Sequence, residues 1–362
     1  MHTQSIFRLL IVRLGAMGDI LHALPAVTAL RLAHPSWHIG WVVDPRWQAL
    51  LAAPSAAPRT PAMPVRDSAM PVVDRLHFAA TRQWKRHPLT TTTAADIRAF
   101  RRELRTAAYD VVVDMQGAIR SAVITRMAGC RRRIGEAHPR EWPAHWIFTD
   151  RVETHGAHVI DQDFELASAI AGDDLAPIQP LLPIDPESES WCDAFLCAPP
   201  FSSGQPIALI TPGAGWGAKR WPPERYAIVA KGLADRGFRV VVNAGPGEDS
   251  LASAITATGA ATAVAPTLPQ LIALTRRIAL CVAGDTGPLH LAAALSRPVV
   301  AIFGPTDPSR NGPYGTRSRV LRSPASRNDH SRNPEPDPGL LTIQPEDVLQ
   351  AADDLLVEET IG

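Results

Sequence analysis

The sequence predicts an α/β protein made of two doubly wound halves, and three observations support this prediction. Short runs of aliphatic and β-branched residues alternate with helical patterns, which is the rhythm of strand–helix–strand units. Glycine-containing turns follow several of the predicted strands. The chain has 362 residues with 46% hydrophobic content, which is enough to bury two separate cores. We therefore expect two domains, each built around a parallel sheet.

The first half begins with a predicted buried strand, Leu9 to Leu14, then a helix from about Ile20 to Ala33 and a strand over Ile39 to Val43. A charged helix around Ala94 to Ala108 precedes another buried strand, Tyr109 to Met115. Continuous apolar runs of this length are typical of strands that are covered on both faces.

The second half repeats the same alternation. Its predicted strands are Ile207 to Thr211, Arg239 to Asn243, Ile278 to Ala283 and Val299 to Phe303, with a helix near Pro223 to Arg236 after the first. We therefore interpret this half as a second doubly wound sheet.

The boundary between the halves is predicted at the proline-rich, acidic segment Leu181 to Glu189, whose composition is typical of an interdomain linker. We place the domains at residues 1–183 and 184–345. Residues 346–362 form a predicted terminal helix that follows Pro345, and we expect it to pack back toward the first domain.

Composition excludes several classes of protein. Lys+Arg and Asp+Glu number 36 each, so a general nucleic-acid binder that neutralises phosphates is not expected. The four cysteines lack CxxC spacing, which predicts neither a zinc site nor a disulfide framework and fits a reduced cytoplasm. No run approaches the roughly 20 apolar residues that cross a bilayer, so any membrane contact is expected to be peripheral.

A possible metal motif lies at Asp161-Gln162-Asp163, which imitates a DxD sequence. It falls within a helical pattern, HVIDQDFELASAIA, and is interpreted as a solvated helix face. No metal site is predicted.

The first glycine-containing turn is Gly15-Ala16-Met17-Gly18-Asp19, between the first predicted strand and its helix. Open α/β sheets bind ligands at the carboxyl ends of such strands, so a carboxylate there can accept a proton from a substrate hydroxyl. An acid in the first helical turn is also a common cap. Asp19 is thus a candidate general base, with capping as the alternative.

A second turn, Thr211 to Trp221, contains Gly213, Ala214, Gly215 and Lys219. Its glycines and lysine suggest an anion-binding loop. It is neither a Walker loop nor a dinucleotide fingerprint, because arginine follows the lysine and the glycine spacing differs. The alternative is a flexible loop with a solvent-facing lysine.

The third turn contains Asp285, Thr286 and Gly287 and leads into a helix of small residues. Unpaired amides at that helix start can bind a diphosphate, Gly287 allows close approach, and His290 lies one turn further along. The alternative is that Asp285 and Thr286 cap the helix while His290 is a core histidine.

Two further features carry charge. Glu248 follows the second strand of the second half, where Rossmann-like sites present an acid to ribose hydroxyls, although acids also favour first helical turns. Seven basic residues face only Asp96 and Glu103 in one stretch of the first half: Arg82, Lys85, Arg86, Arg98, Arg101, Arg102 and Arg105. They form a solvated face or, alternatively, meet an anionic acceptor or membrane surface.

Together these motifs resemble the ADP-heptose:lipopolysaccharide heptosyltransferases of glycosyltransferase family 9. The matching blocks are LIVRLGAMGDILHALPAVTAL, TPGAGWGAKRWPPERYA and GDTGPLHLAAALSRPVVAIFGPTDP, in that order. RQWKR and YDVVVDMQGAIRSA are more similar to the heptosyltransferase I branch than to its siblings.

The resemblance implies a GT-B fold with two facing Rossmann-like domains, the first binding the acceptor and the second the nucleotide-sugar. It implies an inverting transfer of L-glycero-D-manno-heptose from ADP-heptose to the Kdo of Kdo-lipid A, without metal or cofactor. The expected location is the cytoplasmic face of the inner membrane.

The resemblance makes Asp19 the general base. With the motifs above, the candidate donor-binding residues are Gly213, Ala214, Gly215, Lys219, Glu248, Asp285, Thr286, Gly287 and His290. The candidate acceptor-binding residues are Gly18, Gln116, Arg120, Arg82, Lys85 and Arg86.

Two loops depart from the family pattern. Ala52 to Pro71 is a proline- and alanine-rich insertion, and Ser323 to Pro338 stands where many relatives carry a cysteine-bearing loop. Another core acceptor or another sugar is therefore an alternative, as is a non-catalytic nucleotide-sugar-binding protein. A dehydrogenase would require GxGxxG spacing, which Gly15 to Gly18 lack.

Overall fold

The computed structural model describes residues 6–56, 68–201, 204–328 and 333–361, with side chains to residue 357. The chain divides into two compact units, Met1–Asp185 and Pro186–Gly362. Each unit contains a parallel six-stranded sheet with helices, so the predicted α/β fold class is confirmed. Residues 57–67 of the proline-rich insertion and 329–332 of the later loop lie outside the described residues.

The first sheet has the strand order β3-β2-β1-β4-β5-β6. Its strands are β1 (Arg8–Val12), β2 (His38–Val43), β3 (Arg75–Phe78), β4 (Val111–Asp114), β5 (Arg132–Glu136) and β6 (Asp150–Val152). The helices of this unit are α1 (Met17–Ala33), α2 (Thr81–Arg86), α3 (Thr91–Thr106), α4 (Ile119–Met127) and α5 (Val159–Ala171). The direction of winding reverses between β1 and β4, so the ligand-binding crevice of such a sheet is expected there.

The central strands of this sheet are buried because helices cover both faces. Leu9, Leu10 and Ile11 in β1 have no exposed surface. Side chains of α3 and α4, such as Phe100 and Ile124, pack in one core cluster with Leu10. Helix α1 packs against α5, and the rings of His22 and His158 meet at 5.6 Å.

The second sheet has the order β12-β11-β10-β7-β8-β9 and reverses between β7 and β10. Its strands are β7 (Ile207–Thr211), β8 (Arg239–Asn243), β9 (Ala261–Val264), β10 (Leu280–Gly284), β11 (Val299–Phe303) and β12 (Ser318–Arg322). The helices are α6 (Pro186–Cys197), α7 (Pro223–Asp235), α8 (Asp249–Thr256), α9 (Leu268–Thr275), α10 (Gly287–Ala294), α11 (Pro308–Asn311) and α12 (Pro345–Ile361).

Two segments differ from the sequence-based expectation. The predicted linker is partly helical, because α6 begins at Pro186 and packs on α9, with Glu189 paired to Arg276 and Arg277. The terminal helix α12 packs on α7, β11 and β12, and its buried residues Val348, Ala352 and Leu355 belong to the core of the second unit. The apolar side of this helix is therefore buried in the second unit. The position of the helix at the end of the chain did not indicate which unit it packs on.

Within the described segments, no helix combines the length and the apolar character that crossing a membrane requires.

Candidate functional site

Polar turns gather at the carboxyl end of the second sheet, at its reversal point. Lys219 follows β7 and Asp285 follows β10, and these two strands are neighbours with Ala283 opposite Thr211. Thr306 follows β11, the next strand. The topology therefore brings residues from distant parts of the sequence to one edge, where doubly wound sheets bind ligands.

Asp285 is the centre of this group. Its Oδ2 accepts hydrogen bonds from Lys219 Nζ and, at 2.7 Å, from Thr306 Oγ1. His290 Nε2 lies 3.3 Å from the other oxygen, Oδ1. Burial by itself would raise the pKa of Asp285, but the hydrogen bond from His290 and the positive charge of Lys219 outweigh burial and hold that pKa well below its usual range.

Lys219 is 10% exposed in its side chain, so it is not the solvent-facing lysine of the alternative interpretation. Its ammonium also lies 4.2 Å from the ring centre of Trp216, a cation–π contact. Gly217, in the 3₁₀ turn before the lysine, allows residues 333–337 to cover this turn. A Cβ atom there would lie 1.5 Å from the carbonyl oxygen of Pro334.

Two hydroxyls near this group have no hydrogen-bond partner among the described residues. Thr286 Oγ1 is buried and does not cap α10, although Thr286 is the N-cap residue. Thr211 Oγ1 at the end of β7 is likewise buried and unpartnered. An unpaired buried hydroxyl costs free energy, which a ligand with acceptor oxygens would recover. The amides at the start of α10 add the positive end of a helix dipole.

Glu248 lies beside the glycine loop that follows β7. Its Oε2 accepts a hydrogen bond of 2.8 Å from the amide of Gly245. A Cβ atom on Gly213 would lie 2.0 Å from Glu248 Oε1, so the absence of a side chain at position 213 lets the carboxylate lie against this loop. Gly213 and Glu248 are thus in contact, and the half-exposed Ala214 and the exposed Gly215 continue the same loop.

In the first unit, Asp19 lies in the first turn of α1, next to the reversal point between β1 and β4. Its Oδ2 accepts a 2.9 Å hydrogen bond from the amide of Ala16, and Oδ1 lies 3.8 Å from Arg13 Nη2. One oxygen therefore caps the helix while the side chain stays 36% exposed. Gly15 has φ +126°, which a side chain would strain, and a Cβ there would lie 2.6 Å from the Trp47 ring.

Gln116 follows β4 and is buried beside the same turn. Its Oε1 accepts a hydrogen bond of 2.9 Å from the Leu14 amide, while its Nε2 is buried without a partner in the described structure. Asp114 supports the turn by accepting bonds from the amides of Gln116 and Gly117, at 2.8 and 3.0 Å. Burial raises the pKa of Asp114 to about 6 despite these bonds.

Asp163 contradicts the interpretation of Asp161-Gln162-Asp163 as a solvated face. It is 2% exposed, and its Oδ2 has no partner in the described chain. Burial raises the pKa of Asp163 to about 7. The positive charge of Arg13 lowers this pKa by a smaller amount, and the negative charges of Glu136 and Asp19 raise it further. Helix α5 packs on α1, β5 and β6, which accounts for the burial of Asp163.

The basic candidates for acceptor binding are all exposed. Arg82, Lys85 and Arg86 lie on α2, which is docked by the ring of Trp84 on Phe100 at 5.5 Å. Arg120 is exposed on the first turn of α4, four residues after Gln116, and Gly18 is partly exposed next to Asp19.

Four functional candidates were not singled out in the sequence: Arg13, Thr211, Trp216 and Thr306. Arg13 directly follows β1, and Thr306 lies in the turn after β11. Their position at the carboxyl ends of central strands was the sequence feature that could have identified them. The contact of Trp216 with Lys219 depends on how the loop folds back, which no local pattern encodes. In the described residues, no group of three or more His, Cys, Asp or Glu side chains is placed to hold a metal ion.

Comparison with known proteins gives one consistent result. The model of glycosyltransferase family 9 (heptosyltransferase) matches residues 97–337. Lipopolysaccharide heptosyltransferase 1 of Escherichia coli K12 is 30% identical over 336 residues, which cover 88% of this chain and 94% of that protein. The homologous enzyme of Pseudomonas aeruginosa is 28% identical over 338 residues, covering 86% and 82%. The solved structure of E. coli heptosyltransferase WaaC with ADP superposes with a TM-score of 0.76 at 25% identity, covering 96% of this chain and all of WaaC.

Proposed function

Since the chain belongs to glycosyltransferase family 9 and is a heptosyltransferase of lipopolysaccharide core biosynthesis with the GT-B fold, we propose that its acceptor is the Kdo of Kdo-lipid A. The donor is ADP-L-glycero-D-manno-heptose. The transfer inverts the anomeric centre without a metal ion, at the cytoplasmic face of the inner membrane. The proposed domain roles are acceptor binding by residues 1–183 and donor binding by residues 184–345.

The observation that carries the donor part of the proposal is the Lys219–Asp285 group with the unpartnered hydroxyls near it. WaaC has been solved with ADP and with ADP-2-deoxy-2-fluoro heptose, and the second structure superposes with a TM-score of 0.74 at 25% identity. By analogy, Lys219, Thr286 and the amide of Gly287 would bind the diphosphate, with the His290 side chain beside them. Glu248 would accept hydrogen bonds from the ribose hydroxyls.

The chemistry needs one base and one site for the leaving anion. Asp19 would take the proton from the acceptor hydroxyl while that oxygen forms a bond to the anomeric carbon. The bond from this carbon to the β-phosphate oxygen breaks, and ADP leaves with the electron pair. Lys219 and the start of α10 would stabilise the growing charge as donors that are already in place. These groups supply the positive potential that a divalent metal supplies in other transferases.

The acceptor is anionic, which suits the exposed basic residues of the first unit. Arg82, Lys85 and Arg86 on α2, and Arg120 on α4, would meet the Kdo carboxylate and the lipid A phosphates. Gln116 and Gly18 would contact acceptor hydroxyls beside Asp19.

The test is an ADP-release assay with ADP-heptose and Kdo-lipid A, with mass spectrometry and NMR of the product. We expect one added heptose with inverted configuration, and full turnover in the presence of EDTA. Asp19→Asn should lower kcat by about 10²- to 10⁴-fold, because a positioned base contributes that much. Asp235→Asn, which breaks only an exposed pair with Lys231, is the matched control.

Each part of the proposal has its own contrary result. Retained donor binding without turnover on Kdo-lipid A would reject this acceptor and leave other core sugars as candidates. Loss of turnover in EDTA would reject metal independence. An Asp19→Asn variant as active as Asp235→Asn would show that another group is the base.

A further inference from the structure

One surface of the first unit exposes large apolar side chains. Ile119 and Val123 on α4 are 46% and 42% exposed. Trp142 and Trp146, which begin and end a 3₁₀ segment, are 52% and 71% exposed. Single exposed apolar residues are common, but two tryptophans beside two aliphatic side chains form a patch that requires an explanation. These four residues are called the tryptophan surface below.

The four side chains belong to one continuous surface. Helix α4 and the 3₁₀ segment pack through Ala122 and Ala144, which are buried and share a core cluster with Phe148. Small residues at this contact let the two elements lie close together. The amide of Ile119 donates a 2.8 Å hydrogen bond to Glu141, the residue before Trp142. The exposed apolar residues therefore flank a single seam.

Positive charge lies on the two helices next to the tryptophan surface. Helix α3 packs beside α4, and the side chain of Arg105 lies against Gly129, two residues after α4 ends. The exposed basic residues of these two helices are Arg98, Arg101, Arg102, Arg105, Arg120 and Arg126. The acids nearby are fewer: Asp96 and Glu141 are exposed, and Glu103 is already paired with His77 and Arg75.

We propose that the tryptophan surface docks on a lipid bilayer that carries anionic headgroups. Trp142 and Trp146 would lie at the level of the headgroups, where tryptophan is favoured because its ring is apolar and its N–H can stay hydrated. The arginines of α3 and α4 would meet lipid phosphates, whose charge is opposite. The inference rests on the proposed function, because a lipid-linked acceptor lies in a bilayer. Docking on the bilayer itself does not require transfer of the sugar.

The test is co-sedimentation of the full chain with phosphatidylcholine vesicles, with and without about 30% phosphatidylglycerol. We expect binding only to the anionic vesicles. The variant Trp142→Ser/Trp146→Ser should bind these vesicles about tenfold more weakly, because the apolar area buried in the bilayer is lost. Ile228→Ser/Val357→Ser removes exposed apolar side chains from the second unit and should bind like the wild type. Arg98→Gln/Arg102→Gln should weaken binding at low salt.

A turnover assay with deacylated Kdo-lipid A, which is water-soluble but keeps the Kdo and the phosphates, separates this proposal from the proposed function. There the Trp142→Ser/Trp146→Ser variant should match the wild type, since the surface acts through the membrane. Failure of the wild type on that acceptor would reject the proposed function while the vesicle result still decides docking. Unchanged vesicle binding by the tryptophan variant would overturn the membrane assignment. So would a wild-type dimer that is monomeric in this variant, because the tryptophan surface would then be a contact between two copies of the chain.

Discussion

Each unit buries a carboxylate near the reversal point of its sheet, where a ligand site is expected, and the surroundings of Asp285 and Asp163 have opposite effects on the pKa. Asp285 in the second unit is bonded to Lys219, Thr306 and His290, and its pKa is held well below the usual range. Asp163 in the first unit leaves one oxygen unpartnered among the described residues, and burial raises its pKa to about 7.

The difference shows that burial alone does not determine the charge of an acid. A cation and two further donors keep Asp285 ionised in a nearly dry site, where its fixed charge can orient Lys219. Asp163 has Arg13 in its surroundings, but Glu136 and Asp19 oppose the effect of that cation, so desolvation prevails. Asp19 represents a third case, because its side chain is 36% exposed and one of its oxygens caps α1.

Removing the cation from the second unit should produce the largest effect. Lys219→Met would leave Asp285 buried without its countercharge, which costs about 3–5 kcal/mol of unfolding free energy. Urea denaturation at neutral pH measures this change. Turnover should fall by about 10²- to 10³-fold if Lys219 also stabilises the leaving diphosphate.

The double variant Lys219→Met/Asp285→Asn serves as the control for that experiment. It removes the uncompensated charge, so most of the stability should return while turnover stays low. If Lys219→Met were as stable as the wild type, Lys219 would not be the countercharge that keeps Asp285 ionised.

Neutralising Asp163 in the first unit should stabilise the protein as pH rises. The unfolded chain releases the Asp163 proton near pH 3.8, but the folded chain holds it up to about pH 7. Between these values the unfolded state binds fewer protons, so wild-type stability falls by about 1.4 kcal/mol per pH unit from this residue. Asp163→Asn should lack that decline, and its advantage should level off above pH 7.

Denaturation midpoints from about pH 4 to pH 8 would measure this difference. Asp161→Asn, on the same helix but partly exposed, is the matched control and should follow the wild type. Parallel curves for Asp163→Asn and the wild type would show that Asp163 does not carry an elevated pKa.

Two threonines beside Asp285 offer a smaller comparison. Thr306→Val removes a hydrogen bond to a charged group and should cost about 1.5–3 kcal/mol of stability. Thr286→Val removes a hydroxyl without a partner, so the free protein should keep its stability while ADP-heptose binding weakens by about 2- to 12-fold, as for one lost hydrogen bond. Equal losses of stability in the two variants would place the Thr286 hydroxyl in the framework of the protein instead of the donor site.

The architecture was largely predictable from the sequence, because strands buried in parallel sheets have continuous apolar runs. The predicted strand over Tyr109 to Met115 corresponds to β4, Val111–Asp114, and the predicted helix over Ala94 to Ala108 corresponds to α3, Thr91–Thr106. The start of α6 inside the predicted linker was not foreseen, since prolines and acids are common both in linkers and in first helical turns.

The candidate site was predictable wherever a glycine-containing turn follows a central strand, as at Asp19, Lys219 and Asp285. Asp163 was misjudged because residues two apart on a helix point to nearly opposite sides, so Asp161 and Asp163 could not share one environment. Which of the two is buried depends on how α5 packs on α1. That packing is a tertiary property, and a local motif carries no information about it.

The boundary between the two units, at Asp185 and Pro186, matters for the evolution and engineering of such proteins. Each side of it has its own sheet and its own buried core. A crossover at this point, in nature or in a recombinant gene, would leave the strand pairing of both sheets intact. If the first unit binds the acceptor and the second the donor, as proposed, exchange of whole halves between relatives would give new combinations of donor and acceptor. A crossover inside either sheet would have to repack a core at the same time.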